Sequence, residues 1–247
     1  MTYLVATHPP AARGGENVNF AALRTGLYPA AFVKKSLSNA ATLDAIFALI
    51  IGVLAQGSEF AWGTIKTAQT QLPGRLTLIA GQLLAISVLM AITVAGIFAI
   101  DAGASYLLAQ IDGVSASLPS AEDIVKGAGA MWLIFEFTAL FGFALATAFK
   151  QSAMAMGLGL GYVLVIENLL FALLDNLGDT FKNVHQLFPM ANAGYLLQSF
   201  GRVPGVATLV ISASSPPDAT HAVIVLAIWM AILLAVIIVL TRRRDVL

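Results

Sequence analysis

The chain has 247 residues, of which 59% are hydrophobic and 11% are charged, and its formal net charge is zero. Soluble domains carry about 25% charged residues, so this composition predicts a protein surrounded by lipid rather than by water. The zero net charge provides no basic field for nucleic acid, and we expect no nucleic-acid partner. The absence of cysteine excludes disulfides, zinc-finger sites and thiol chemistry.

The amino-terminal residues do not have the pattern of a cleavable signal peptide. They include Pro9, Pro10 and Arg13 and contain no apolar run after a basic start. We expect residues 1–37 to form a tail with a short helix, and residues 38–247 to form one transmembrane domain.

Five stretches are long and apolar enough to cross a bilayer, whose hydrocarbon core of about 30 Å requires roughly 20 helical residues. Their hydrophobicity is continuous rather than alternating, which favours helices over the strands of a barrel. The predicted spans are, in chain order, residues 40–57, 76–99, 128–149, 153–174 and 221–240. The predicted fold is therefore an all-α, polytopic transmembrane helix bundle.

The distribution of basic residues predicts the orientation of the bundle. Arg242, Arg243 and Arg244 follow the last span, which favours a cytoplasmic carboxyl terminus in the cell (plasma) membrane. By alternation, Lys150 lies in a tight cytoplasmic turn and the 58–75 loop lies on the same side. The amino-terminal tail departs from this pattern, because it carries four basic residues on the opposite side: Arg13, Arg24, Lys34 and Lys35.

The 59–72 segment has the pattern of a short amphipathic helix. Ala61, Ile65, Ala68 and Leu72 share one helical face, and Pro73 with Gly74 would end the helix. Two interpretations stay open with equal weight. The segment is either a functional helix along the cytoplasmic membrane surface or a solvated connector that rests on the lipid headgroups.

Glu136, Glu167 and Asn168 are polar residues within predicted spans. A carboxylate in the middle of a membrane costs at least about 2.5–3.5 kcal/mol, so it should face protein or water. These residues belong either to a substrate or proton pathway or to a protonated or hydrogen-bonded contact between helices, and the contact is the preferred interpretation.

Two further patterns favour structural roles over chemistry. Gly157, Gly159 and Gly161 lie in an apolar span without the context of a phosphate-binding loop, so we expect them to be packing positions. The three histidines have no metal-ligand spacing, and no nucleophile–base pair stands out, so we expect neither a metal site nor a catalytic site in this chain.

The 59–75 loop resembles ABC transporter permeases of the second exporter type. In that family a Glu opens a cytoplasmic helix, a Gly-Thr pair follows, and a Pro and an Arg precede the next span. This chain has Glu59-Phe60, Gly63-Thr64, Pro73 and Arg75 in that order. The similarity extends over about residues 28–247. It includes Glu167 in the penultimate span, Pro189 and Asn192 in a long external loop, and the basic end at 242–245.

The resemblance implies that two permease subunits form a translocation path and that separate subunits hydrolyse ATP. The surface helix would be the coupling helix that docks on an ATP-binding subunit, and it would involve Glu59, Phe60, Gly63, Thr64, Lys66 and Arg75. ATP and Mg would bind to that partner and no cofactor to this chain. The second permease would be either an identical or a different chain. The chain itself would not be an enzyme.

The sequence departs from that family in two places. Gln82 stands where many relatives have Lys, and relatives usually have six spans, one of them before the position of Leu27-Tyr28-Pro29. We expect either that the first helix is missing or that the chain begins at an internal start. Two alternative functions remain: an intramembrane enzyme that uses Glu136 and Glu167, and a membrane anchor that does not transport.

Overall fold

The computed structural model describes residues 26–62, 75–115, 117–167, 169–170, 184–201 and 217–243. These residues are 87% helical and contain no strand, which confirms the prediction of an all-α bundle. Seven α-helices follow in chain order: α1 (Phe32–Leu37), α2 (Leu43–Trp62), α3 (Arg75–Ile111), α4 (Ala121–Phe149), α5 (Ser152–Gly161), α6 (Pro189–Ser199) and α7 (Ala219–Arg243). Three shorter helical pieces are the 3-10 turns Pro29–Ala31 and Val184–Leu187 and the π-helical turn Tyr162–Ile166.

Four of the described helices, α2, α3, α4 and α7, are long and apolar enough to cross a membrane. They correspond to the predicted spans at 40–57, 76–99, 128–149 and 221–240, and each extends beyond at least one predicted boundary. The fourth predicted span, 153–174, begins as the shorter apolar helix Ser152–Ile166. Part of that span, residue 168 and residues 171–174, lies outside the described residues.

Capping interactions mark both ends of helix α4. The Ser120 side chain accepts a hydrogen bond from the Asp123 backbone N–H at 3.1 Å, which caps the first turn. At the other end Lys150 has a positive φ of 55° and its N–H bonds to the Ala146 carbonyl, so the helix stops there. Helix α5 begins two residues later, which confirms the predicted tight turn at Lys150.

Helix α4 is the centre of the bundle, because 61% of its apolar 18-residue stretch is buried, compared with 17–39% of the corresponding stretches of the other three spanning helices. Helices α2, α3, α5 and α7 all pack against it. Between α2 and α4 the backbones touch: a Cβ at Gly52 would overlap the Ala139 carbonyl, and one at Gly142 would overlap the Leu49 carbonyl. Lipid removes most of the hydrophobic driving force between helices, so such close van der Waals packing holds the pair together.

The short helix α1 belongs to the same core. Phe32 is 2% exposed and its ring meets Phe98 of α3 edge-on at 5.9 Å. Two side chains of α1 bind Asp101 of α3: Ser36 at 2.6 Å and Lys35 at 3.3 Å. Lys35, one of the basic residues that disagreed with the predicted orientation, therefore has a carboxylate partner within the fold.

The helices define two ends of the bundle. We call the end at which α3 finishes and α4 begins the Ser120 end, and the end at which α4 turns into α5 the Lys150 end. Helix α2 runs from the first to the second, since Gly57 of α2 lies against Ser152 of α5. Helices α1 and α6 lie at the Ser120 end. Helix α7 begins there and packs along α4, so Arg242 lies toward the Lys150 end.

Candidate functional site

The three predicted coupling residues that the structure describes lie at the Lys150 end. Glu59 and Phe60 lie in the last two turns of α2, and Arg75 begins α3. The segment that joins these helices therefore leaves and re-enters the bundle at one end. Gly63, Thr64 and Lys66, together with most of the predicted surface helix, lie outside the described residues.

The position of Glu59 differs from the expectation that it opens a separate surface helix. The structure includes Glu59 and Phe60 in α2, which runs without a break from Leu43 to Trp62. A carboxylate is stabilised by the helix dipole when it lies at the amino terminus of a helix. Glu59 lies near the carboxyl terminus of α2, so the dipole does not stabilise it there. One turn earlier lies Gln56, which is 4% exposed and which the sequence analysis missed. The signal available was its spacing of three residues from Glu59 in an otherwise apolar helix.

Glu167 lies at the Ser120 end and is 2% exposed. Its carboxylate accepts hydrogen bonds from the Tyr162 hydroxyl at 2.6 Å and from the backbone N–H groups of Met190 at 3.1 Å and Ala191 at 3.0 Å. Those two N–H groups belong to the first turn of α6, where no intrahelical acceptor exists. Glu167 thus caps a helix that follows it in the chain by more than 20 residues, and it forms a hydrogen-bonded contact between segments. Asn168 lies outside the described residues.

The segment before α6 is attached to α7 by further hydrogen bonds. The Trp229 indole donates to the Leu187 carbonyl at 2.9 Å, and the His221 ring lies 3.2 Å from the Gln186 carbonyl. Within the segment, the Asn192 amide donates to the carbonyls of Gln186 at 2.8 Å and Phe188 at 2.7 Å. Residues 184–199 are therefore held from two sides, by Glu167 and by α7.

Glu167, Pro189 and Asn192 of this arrangement were predicted from the sequence, whereas Tyr162, His221 and Trp229 were not. Tyr162 opens a π-helical turn that leads into Glu167, and such turns are frequent at functional sites. Tyr162 and Trp229 each carry a polar group on an aromatic ring within an apolar segment. Such groups usually have a hydrogen-bond partner, so the sequence could have indicated these two residues.

Glu136 takes part in a different contact. It lies in the middle of α4 and faces the Ser87 side chain of α3. The Trp132 indole of α4 donates to the Ser87 carbonyl at 3.4 Å, so Ser87 contributes to the contact between the two helices. Among the described residues, Glu136 and Glu167 share no hydrogen-bond partner.

The three glycines of α5 behave differently from one another. Gly159 packs against the Leu49 side chain, in agreement with the prediction of a packing position. A Cβ at Gly157 or Gly161 would meet nothing within 4 Å among the described residues, so for these two the packing role stays a prediction. The close helix contacts are made instead by Gly52 and Gly142.

No cluster of three metal-ligating side chains occurs in the described part of the chain. Both histidines that the structure describes lie at the Ser120 end, close to the segment before α6. His221 of α7 contacts a backbone carbonyl of that segment, and His185 is a buried residue within it.

The four apolar helices define an α-helical membrane protein with several spans. The chain belongs to the family described as "Protein of unknown function (DUF2705)", whose family model matches residues 16–247. No curated protein and no solved structure matches the chain significantly.

Proposed function

We propose that this chain is the permease subunit of an ATP-driven ABC exporter in the plasma membrane. It would form the translocation path with a second permease, identical or different, and a separate ATP-binding subunit would bind ATP and Mg and hydrolyse the ATP. The observation that carries the proposal is the order Glu59-Phe60, Gly63-Thr64, Pro73, Arg75 between α2 and α3.

The charges at the two ends of the bundle support this assignment. The Lys150 end carries Arg75, Lys150 and Arg242 with one acidic residue, Glu59. The Ser120 end carries Lys34 and Lys126 together with Asp112, Glu122 and Asp123. Basic residues favour the cytoplasmic side of a membrane. The Lys150 end, with the segment that joins α2 to α3, would then face the cytoplasm, where an ATP-binding subunit is available to dock.

The packing of α2 supports a role in transmitting force. Helix α2 continues through Glu59, and its middle touches the α4 backbone at Gly52 and Gly142. Packed helices move as units rather than deforming continuously. A displacement of the α2–α3 connection by a docked ATPase would therefore shift α2 against α4, which is the centre of the bundle.

Purification of the tagged full-length chain from its native membranes in a mild detergent tests the proposal. We expect a protein with a phosphate-loop motif to co-purify, and we expect the complex to hydrolyse ATP. Glu59→Ala should weaken this association. Glu122→Ala removes a carboxylate at the opposite end and provides the matched control. The proposal fails if the chain purifies from native membranes with no ATP-hydrolysing partner.

A further inference from the structure

A cleft of about 980 Å³ lies at the Ser120 end among α1, α4, α6 and α7. Its walls are mostly apolar, with Val33, Leu133, Leu196 and Val223 among the lining residues. Lys34 of α1 and Lys126 of α4 also line it. This volume is in the upper range for pockets that hold small molecules, which extend to about 1,000 Å³.

In a bilayer spanned by α4, the cleft would lie near the boundary between headgroups and acyl chains. Helix α4 has 29 residues and is about 43 Å long, so part of it extends beyond a hydrocarbon core of about 30 Å. Lys126 lies in its second turn, within reach of the headgroup layer. Trp132 also lines the cleft, about 9 Å deeper along the helix axis, and tryptophan favours this depth of a bilayer.

The two lysines differ in what they contact. Lys126 pairs with Glu122 at 2.6 Å, but both side chains are more than 60% exposed, and such pairs contribute little. Lys34 has no ion pair among the described residues, whereas its neighbour Lys35 pairs with Asp101. Asp123 also lines the cleft, and its carboxylate accepts a hydrogen bond from Ser120 at 2.7 Å within the cap of α4. An anion entering the cleft would therefore meet two ammonium groups and one carboxylate, so the charge of the cleft remains positive.

We propose that this cleft binds a phosphate-bearing amphiphile of the membrane, with the phosphate between Lys34 and Lys126 and the acyl chain along the apolar walls beside Trp132. The inference goes beyond the proposed transport function and does not depend on an ATPase. Charge recognition and apolar contact are both required, so the occupant is a lipid rather than a soluble phosphate.

Quenching of tryptophan fluorescence by brominated lipids tests this site. The full-length protein is reconstituted into vesicles with either phosphatidylglycerol or phosphatidylcholine carrying the bromine, at equal bromine content. The component due to Trp132 is the difference between the parent and Trp132→Phe. We expect this component to be quenched more strongly by phosphatidylglycerol, with about a fivefold preference contributed by each lysine. Lys34→Ala should remove much of the preference, and Lys34→Arg should restore it.

Two controls separate the site from general effects of charge. Lys150→Ala removes a lysine at the opposite end and should leave the preference of Trp132 unchanged. Glycerol phosphate added in the same concentration range should not relieve the quenching, because it lacks the acyl chain. Equal quenching by the two lipids overturns the proposal, as does a preference that survives Lys34→Ala combined with Lys126→Ala. Relief by glycerol phosphate overturns the assignment to an amphiphile.

Discussion

At the scale of single residues, the carboxylate of Glu167 accepts hydrogen bonds from three donors. Two are backbone N–H groups at the start of α6 and one is the Tyr162 hydroxyl. Helix α6 begins with Pro189, which has no N–H, so Met190 and Ala191 provide the first free donors of the helix. The side chain of one segment thereby fixes where another segment begins.

Replacement of Glu167 by alanine should destabilise the protein. It leaves buried donors without an acceptor, and each such group costs about 1–3 kcal/mol. Thermal unfolding of the purified protein in detergent would measure the effect as a lower midpoint. Tyr162→Phe removes a single hydrogen bond and should have a smaller effect. Glu122→Ala, at a residue whose side chain is 73% exposed, should change the midpoint little. If Glu167→Ala unfolds at the same temperature as Glu122→Ala, Glu167 does not hold α6 in place.

The sequence identified Glu167 as important because a carboxylate in an apolar run is costly and needs a partner. It did not identify the partners at the start of α6, because these donors lie 23 and 24 residues away along the chain. They are backbone N–H groups, which nearly every residue has, so the side chains in the sequence do not indicate them. For Glu136 the preferred interpretation, a contact between helices, agrees with its position facing the Ser87 side chain of α3.

At the scale of helices, the α2–α4 pair depends on two glycines that allow the backbones to touch. Gly52→Ala and Gly142→Ala each place a methyl group against a carbonyl of the facing helix. We expect each to destabilise the protein by about 1–3 kcal/mol, the usual cost of overpacking. The thermal midpoint in detergent measures this effect.

Gly81→Ala is the matched control for these substitutions, because a Cβ at Gly81 meets nothing within 4 Å in the described structure. Alanine is the better helix former by about 1 kcal/mol, so this change should leave stability unchanged or raise it. Gly52→Ala and Gly142→Ala should therefore lower the thermal midpoint, whereas Gly81→Ala should not lower it. A decrease of equal size at all three positions would contradict the proposed packing of α2 on α4.

The helices themselves were predictable from hydrophobicity, but their lengths and contacts were not. Helix α3 has 37 residues, about 55 Å, whereas the apolar run predicted a span that ended at residue 99. Asp101 lies two residues beyond the predicted end of this span. The structure places it inside the helix, where Lys35 and Ser36 bind it. In the same way Glu59 appeared to begin a new helix and instead continues α2. A charged residue interrupts the apolar run in the sequence, but the helix itself continues when the charged side chain is paired or hydrated.

At the scale of the whole molecule, basic residues outnumber acidic ones at the Lys150 end, whereas the Ser120 end carries both kinds. The Lys150 end carries Glu59 and Phe60 at the last turns of α2, and the connection to Arg75 leaves from the same end. The proposed function assigns this end to the ATP-binding subunit. The lipid cleft and the capped helix α6 lie at the Ser120 end, so the two proposals concern opposite faces of the membrane and can fail independently.

Site-specific photo-cross-linking tests the proposed function most directly. A photoreactive amino acid replaces Phe60 at the Lys150 end or, as a control, Ile111, whose side chain is 72% exposed at the Ser120 end. After irradiation of native membranes, the cross-linked products are identified by mass spectrometry. We predict that position 60 cross-links to a protein with a phosphate-loop motif and that position 111 does not. Cross-linking of such a protein at position 111 alone, or at neither position, would contradict the assignment of this chain as an ABC permease.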